Sequence, residues 1–281
     1  ILQHRLKKLV LYGKELRDKD RTSFTVPESL SKCYTLNQFE LIGFVDIPKS
    51  FLSNIDLFTT LDTLVIPRTK NLTGGILYNI LKGLPHLLHL DVSSCPLLTN
   101  ISCLSQAKQL MKLGLYELEL SMNMEELADT LASLKDLRVL DIGEATNYGI
   151  NLTSIICERL LKEKASPWPK LACIDISDED SEESSIGIEH MKIIMETHDK
   201  LQTVCLTGTE LAYEDFESYT WVKENVQICN SSSYSSCLNT LIYYLKQYKQ
   251  HNAIDVAIYL LEEVINFELL RQIQLLESHC P

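Results

Sequence analysis

Asp91, Asp141 and Asp175 occupy the same place in three copies of one short pattern, and Glu40 holds that place in a fourth. Each is the residue between the last two apolar positions of an L-x-x-L-x-L hexad. Carboxylates repeated along one side of a rigid support can receive a basic segment of a partner protein, because complementary charge sets orientation and on-rate. Tyr12 and Tyr116 come two residues after that position in their own copies. Aromatic side chains there can act as anchors, since a few such residues carry most of the energy of an interface. Tyr12, Glu40, Asp91, Tyr116, Asp141 and Asp175 thus define a candidate protein-binding face. The same acids also have a structural use. An Asp followed two residues later by Ser, as in Asp91–Ser93 and Asp175–Ser177, can bond to neighbouring backbone and hydroxyl groups.

Other chemistries find less support. His86, His89, His190 and His198 share no motif with a Ser, Cys or carboxylate, so a nucleophile and its base cannot be paired. Gly74, Gly75 and Gly143 lack the spacing of a phosphate loop. The acidic run 178–183 lacks the glycine at its sixth place that a calcium loop needs, and it reads as a solvated loop. Nine cysteines are scattered with no C-x-x-C pair. They read as reduced, buried thiols of an intracellular protein, cytoplasmic or nuclear. Asn71, Asn100, Asn151 and Asn230 head N-x-S/T triplets that read as chance matches, and Trp168 and Trp221 read as packing residues. The expectation is a non-catalytic binding subunit with no cofactor and no metal.

The hexads dictate what must position these residues. They begin at Leu6, Leu36, Leu61, Leu87, Leu110, Leu137, Leu171 and Leu201. Their spacing is that of leucine-rich repeats, which cannot bury their own apolar faces and must stack into a solenoid. Between hexads the apolar period lengthens to that of a helix, over 76–84, 124–134, 152–161 and 188–195. Strand alternating with helix predicts an α/β horseshoe with a parallel sheet on its concave face. Thr153 is expected to cap the third helix. After Asn230–Ser233 the hexads stop, and helical stripes run from Leu238 to Leu276. The expected domains are a leucine-rich-repeat domain of about eight repeats over 1–230 and an α-helical segment over 231–281. That segment would begin an armadillo-like array or cap the horseshoe. The chain opens inside a repeat without a polar cap, so a longer protein is expected.

Composition bounds the partners. The 281 residues carry a formal net charge of −12, which argues against nucleic acid, whose phosphates demand Lys and Arg. No window reaches the eighteen or so consecutive apolar residues of a membrane span.

The stretch Leu137–Ile142, LRVLDI, is followed by ERLLKEK at 158–164, PKLACIDIS at 169–177 and LQTVCL at 201–206. With LLHLDVS at 87–93 and the helical run 238–267, this order of elements resembles the Zyg-eleven family of leucine-rich-repeat proteins. The resemblance covers roughly the last two hundred residues. It implies a substrate-recognition subunit of a cullin-two RING ubiquitin ligase. In that family an N-terminal box docks elongin and cullin, and leucine-rich and then armadillo-like repeats follow. This sequence contains no such box, so elongin and cullin are implied as partners only through a segment missing from it. A substrate protein is implied as a further partner. The alternative expectation is a binding module outside any ligase that sequesters or neutralises one partner.

Overall fold

The computed structural model describes residues 6–12, 33, 35–42, 47–161, 166–178, 186–206, 208–209, 211, 219–223 and 226–229. The helical segment 231–281, the junction at Asn230 and most of the acidic run lie outside them.

Eight hexads give eight strands: β1 (Lys8–Tyr12), β2 (Gln38–Ile42), β3 (Thr63–Val65), β4 (His89–Asp91), β5 (Lys112–Gly114), β7 (Val139–Asp141), β10 (Cys173–Asp175) and β11 (Thr203–Cys205). A ninth strand, β12 (Gln227–Cys229), extends the same sheet. It escaped the pattern because Asn225 and Asn230 stand where the outer two apolar residues would be. Each strand pairs in parallel with its sequence neighbours, and the hexads align in register: Leu64 faces Leu90, which faces Leu113, then Leu140, Ile174 and Val204.

The helical stripes become α2 (Gly74–Gly83), α3 (Met124–Ala132), α4 (Leu152–Arg159) and α5 (Ile188–Thr197), after a short α1 (Lys49–Leu52). Two 3₁₀ turns, Ile55–Leu57 and Ser102–Gln106, replace helices where the repeat is short. Cap chemistry sets the starts. The Asn123 carboxamide accepts from the Glu125 and Glu126 N–H groups, at 2.9 and 3.3 Å. Asn151 accepts from Thr153 N–H at 2.8 Å. This corrects the expectation for α4: the cap is Asn151, and Thr153 lies inside the helix with its hydroxyl buried and unbonded. An Asn at this place accepts as well as a Ser or Thr does.

The core is a stack of hexad residues. From the second repeat to the eighth, all three apolar positions are at most 1% exposed. Full burial of each such side chain contributes about 1.5–3 kcal/mol. A fourth column extends the pattern backwards. From the second hexad to the eighth, the first residue donates its N–H to the carbonyl three residues earlier, which belongs to Cys33, Phe58, Leu84, Ala107, Leu134, Trp168 or His198. All seven are buried. Trp168 and His198 are therefore equivalent positions of adjacent repeats, which explains why their rings stack 6.1 Å apart at 14°. The Trp168 indole donates to Leu131 O at 2.9 Å, so a wide aromatic fills a wide repeat without leaving its N–H unpaired.

A small second sheet edges the solenoid: β6 (Glu119–Leu120), β8 (Thr146–Asn147) and β9 (Ile150–Asn151). Its fully buried Asn147 mimics a peptide unit. It accepts from Met122 N–H at 2.8 Å and donates to Met122 O at 3.1 Å.

Candidate functional site

Side chains alternate faces along a strand, so the residues flanking each buried hexad centre point onto the concave surface. One column carries Gln38, Thr63, His89, Lys112, Val139, Cys173 and Thr203. The other carries Glu40, Val65, Asp91, Gly114, Asp141, Asp175 and Cys205. Adjacent members are about 4.8 Å apart across the sheet. Asp141 and Asp175 are thus direct neighbours, and Asp91 is separated from Asp141 by Gly114.

Glu40, Asp91, Tyr116 and Asp141 are half-buried, as a surface residue on a curved sheet should be. Tyr12 sits at the end of β1, where its backbone alone is described. Asp175 differs. The pattern places it on the candidate binding face, yet it is 7% exposed, and Gly114 and Cys205 in the same column are buried too.

The three aspartates repeat one local bond. Asp91 Oδ1 accepts from Ser93 N–H at 2.9 Å, Asp141 Oδ1 from Gly143 N–H at 3.2 Å, and Asp175 Oδ1 from Ser177 N–H at 3.0 Å. The Ser177 hydroxyl also donates to Asp175. Such bonds tie one carboxylate oxygen to the turn after the strand and hold the other in a fixed direction. Glu40 is engaged by the Gln38 amide on the same face.

Two glycines make room for this layer. A Cβ at Gly114 would fall 2.8 Å from the Asp91 carboxyl carbon, and one at Gly143 would fall 2.7 Å from Ser177 Oγ and 3.0 Å from the Tyr116 ring. Asp91 and Tyr116 therefore lie over the next strand's backbone, which a side chain there would block.

A second row, acidic at two of its four positions, borders the first, and the hexads did not disclose it. Arg68, Ser94, Glu117 and Glu144 occupy one position in four successive repeats, all with φ between 54° and 56°. Each donates its N–H to the carbonyl of the next repeat: Ser93, Tyr116, Gly143 and Ser177 respectively, at 2.7–2.9 Å. The left-handed conformation costs about 1–2 kcal/mol for a residue with a Cβ, and the bond between repeats offsets it. Glu144 accepts from the Tyr116 hydroxyl at 2.5 Å, and Glu117 from the Ser94 hydroxyl at 2.6 Å. Tyr116 is thereby fixed between the two rows. The available signal was the chain position two residues beyond each hexad, where polar residues recur.

Cys33, Cys95, Cys103, Cys157, Cys173 and Cys205 are all buried. Burial pushes the Cys95 and Cys157 thiols up to about 12 and Cys103 up to about 11, far from thiolate reactivity. Cys95 instead packs its thiol against the Ile66 and Ser93 carbonyls. No group of His, Cys, Asp and Glu side chains among the described residues has the arrangement of a metal site. No described helix is long and apolar enough to cross a membrane.

The concave parallel sheet with a ladder of aligned hexads is the geometry of a leucine-rich-repeat protein, and one family model matches its central part, over residues 78–185. The match is to Zer-1-like leucine-rich repeats. The match supports the assignment to the Zyg-eleven family of leucine-rich-repeat proteins. The Zer-1-like region includes β4 through β10, and with them Asp91, Tyr116, Asp141 and Asp175. Repeats of this class are generally non-catalytic protein-interaction modules.

Solved structures with a similar course include internalin F of Listeria monocytogenes, with 15% identity, a TM-score of 0.44, and 81% of this chain matched to 67% of that one. Internalin C2 of the same organism has 16% identity and a TM-score of 0.47, with 74% of this chain matched to 75% of that one. A leucine-rich-repeat protein of Leptospira interrogans has 15% identity and a TM-score of 0.47, with 81% of this chain matched to 55% of that one. No curated protein matches the sequence.

Proposed function

We propose that this chain is the interaction scaffold of a substrate-recognition subunit in a cullin-RING ubiquitin ligase. The observation that carries the proposal is the Zer-1-like match over residues 78–185, in the part of the chain that builds the concave sheet. In this reading the leucine-rich domain spans 1–230 and sets distance and angle within the ligase, while 231–281 begins a helical array. Elongin and cullin engage a segment beyond this chain, and the protein works inside the cell. The test is co-purification of the full-length protein with elongin and cullin. Recovery of neither removes the ligase reading and leaves the solenoid intact.

A second reading has its own observation. Glu40, Asp91 and Asp141, with Tyr116 locked beside them, form a rigid acidic surface suited to a basic segment of one partner, which the protein would sequester. Charge reversal at Asp91 and Asp141 should then abolish capture of that partner and leave any cullin association unchanged. A partner that binds the reversed surface normally rules this out.

A further inference from the structure

The outer layer of the solenoid has one gap. From β3 to β11 each return path carries a helix, except the one between β4 and β5. Only 23 residues separate Leu87 from Leu110 (110 − 87), the shortest interval between hexads, and this path folds as the 3₁₀ turn Ser102–Gln106. Asn100 starts the turn: its carboxamide oxygen accepts from the Ser102 N–H at 2.9 Å and from the Ser102 hydroxyl at 2.8 Å. α2 and α3 both pack against the turn, so they stand as walls on either side of it. Between them lies an open groove of about 660 Å³, whose lining includes Gly75, Tyr78, Leu97, Ser102, Gln106 and Glu126. A Cβ at Gly74 would fall 2.7 Å from Asn100 O, so α2 starts tight against the loop. One residue later the groove is open, and nothing lies within 4 Å of a Cβ at Gly75. The serines of the floor are already bonded: Ser102 to Asn100, and the Ser105 hydroxyl to Ser102 O at 2.8 Å.

The two sides of the groove differ in chemistry. Tyr78 on α2 and Leu97 before the turn are 44% and 52% exposed, two of the six large apolar side chains that the described residues leave exposed. Single exposed apolar residues are ordinary, but two lining one groove form a patch. On the α3 side Glu126 lines the groove, and Glu125 and Asp129 are exposed along the same helix. Glu125 and Glu126 suit the start of α3, but Asp129 lies beyond its first turn. No described Lys or Arg pairs with any of the three.

We propose that this groove takes one amphipathic helix of a partner protein, which lays aliphatic side chains on Tyr78 and Leu97 and presents Lys or Arg to Glu126. The partner helix fills the place left in the outer layer between α2 and α3. A helix is about 10 Å across and rises about 5.4 Å per turn, or about 400 Å³ for each turn, so the groove seats one to two turns. Helix-in-groove recognition works through such anchors, spaced three or four residues apart on one face. The unpaired carboxylates of α3 select a basic flank, because complementary charge fixes orientation and rejects like-charged helices. The paired hydroxyls of the floor need no new donor or acceptor, so an apolar face covers them without leaving a buried group unbonded.

Peptide selection tests this on the full chain. Two displayed libraries serve as probes: alanine-rich peptides of about 18 residues, long enough to be helical alone, randomised along one face, and linear peptides held non-helical by central prolines. The helical library should enrich for aliphatic residues four apart beside Lys or Arg. Fluorescence anisotropy of the best peptide then reads the site. Gly75→Trp points a large side chain into the open groove and should weaken binding about tenfold or more, with urea unfolding like that of the parent. Glu126→Lys should weaken it about fivefold, and exchanging the peptide's cation for Glu should restore it. Enrichment only of proline peptides or of acidic helices overturns the proposal, as does a selected peptide whose affinity ignores both variants. A native chain that sediments as a dimer, and a Gly75→Trp chain that does not, would show the occupant to be a second copy and overturn it too. The groove lies on the side opposite the concave sheet, and the probes include neither elongin nor cullin, so its failure is separate from failure of the ligase reading.

Discussion

Replacing Asn147 tests whether the edge of the solenoid rests on the peptide mimicry seen at Met122. Asn147 is 0% exposed, and its carboxamide satisfies both the N–H and the C=O of Met122. Asn147→Leu keeps the volume and removes both bonds. Each backbone group left buried and unpaired costs about 1–3 kcal/mol, so the pair should cost about 2–6 kcal/mol. Asn147→Asp separates the two bonds. An ionised carboxylate still accepts from Met122 N–H but faces Met122 O without a proton to donate. Burial and that carbonyl both favour the protonated form, so the folded-state pKa of the new carboxyl lies above its unfolded value. Stability is then retained at low pH, where the acid is protonated in both states, and lost as pH rises and the unfolded state ionises. Urea unfolding followed by far-UV circular dichroism at pH 7 and pH 4.5, each against the parent chain, measures both effects. The leucine variant should be strongly destabilised at either pH. The aspartate variant should lose much of its deficit at pH 4.5. A leucine variant within about 0.5 kcal/mol of the parent, the range of an ordinary surface change, would refute the reasoning. So would an aspartate variant indifferent to pH.

Three further outcomes are expected. Leu171→Ala or Leu201→Ala, both at 0% exposure, should each cost about 2–5 kcal/mol in chemical denaturation. Burial lowers the His198 pKa below its ordinary 6.5, with the charge of nearby Lys223 adding to this against the Ile194 carbonyl bond and Asp199. The unfolded chain therefore takes up a proton first, and stability should fall by up to about 1.4 kcal/mol per pH unit as pH drops below that value. His198→Phe, which keeps the stack on Trp168, should remove that slope from the stability profile between pH 7.5 and 5. Gly114→Ala should displace the Asp91 carboxylate from β5 and weaken any partner that reads it, while thermal unfolding shifts only slightly; unchanged partner binding would show that Asp91 is not read.

The hexads made the solenoid legible because their spacing repeats and their apolar residues have one fate. The helical stripes were legible for the same reason, and the sites of α2 to α5 follow them. The starts of those helices were less so: Thr153 and Asn151 both have cap chemistry, and the packing of Leu152 and Ile155 into the core decides which residue is left outside the helix. The roles of Gly114 and Gly143 are not legible along the chain, since each depends on a side chain from a neighbouring repeat. Glu117 and Glu144 border the candidate face through a left-handed turn that the hexad pattern does not disclose.

Taken alone, the order of residues determined the repeat, its direction and the two columns that face the concave side. A period-two strand with one buried centre leaves no other arrangement. Tertiary structure alone decided which members of those columns meet solvent. Asp91, Asp141 and Asp175 are identical in pattern, yet Asp175 is buried and the others are not. Exposure depends on the side chains of the flanking strands, and in a solenoid those belong to other repeats.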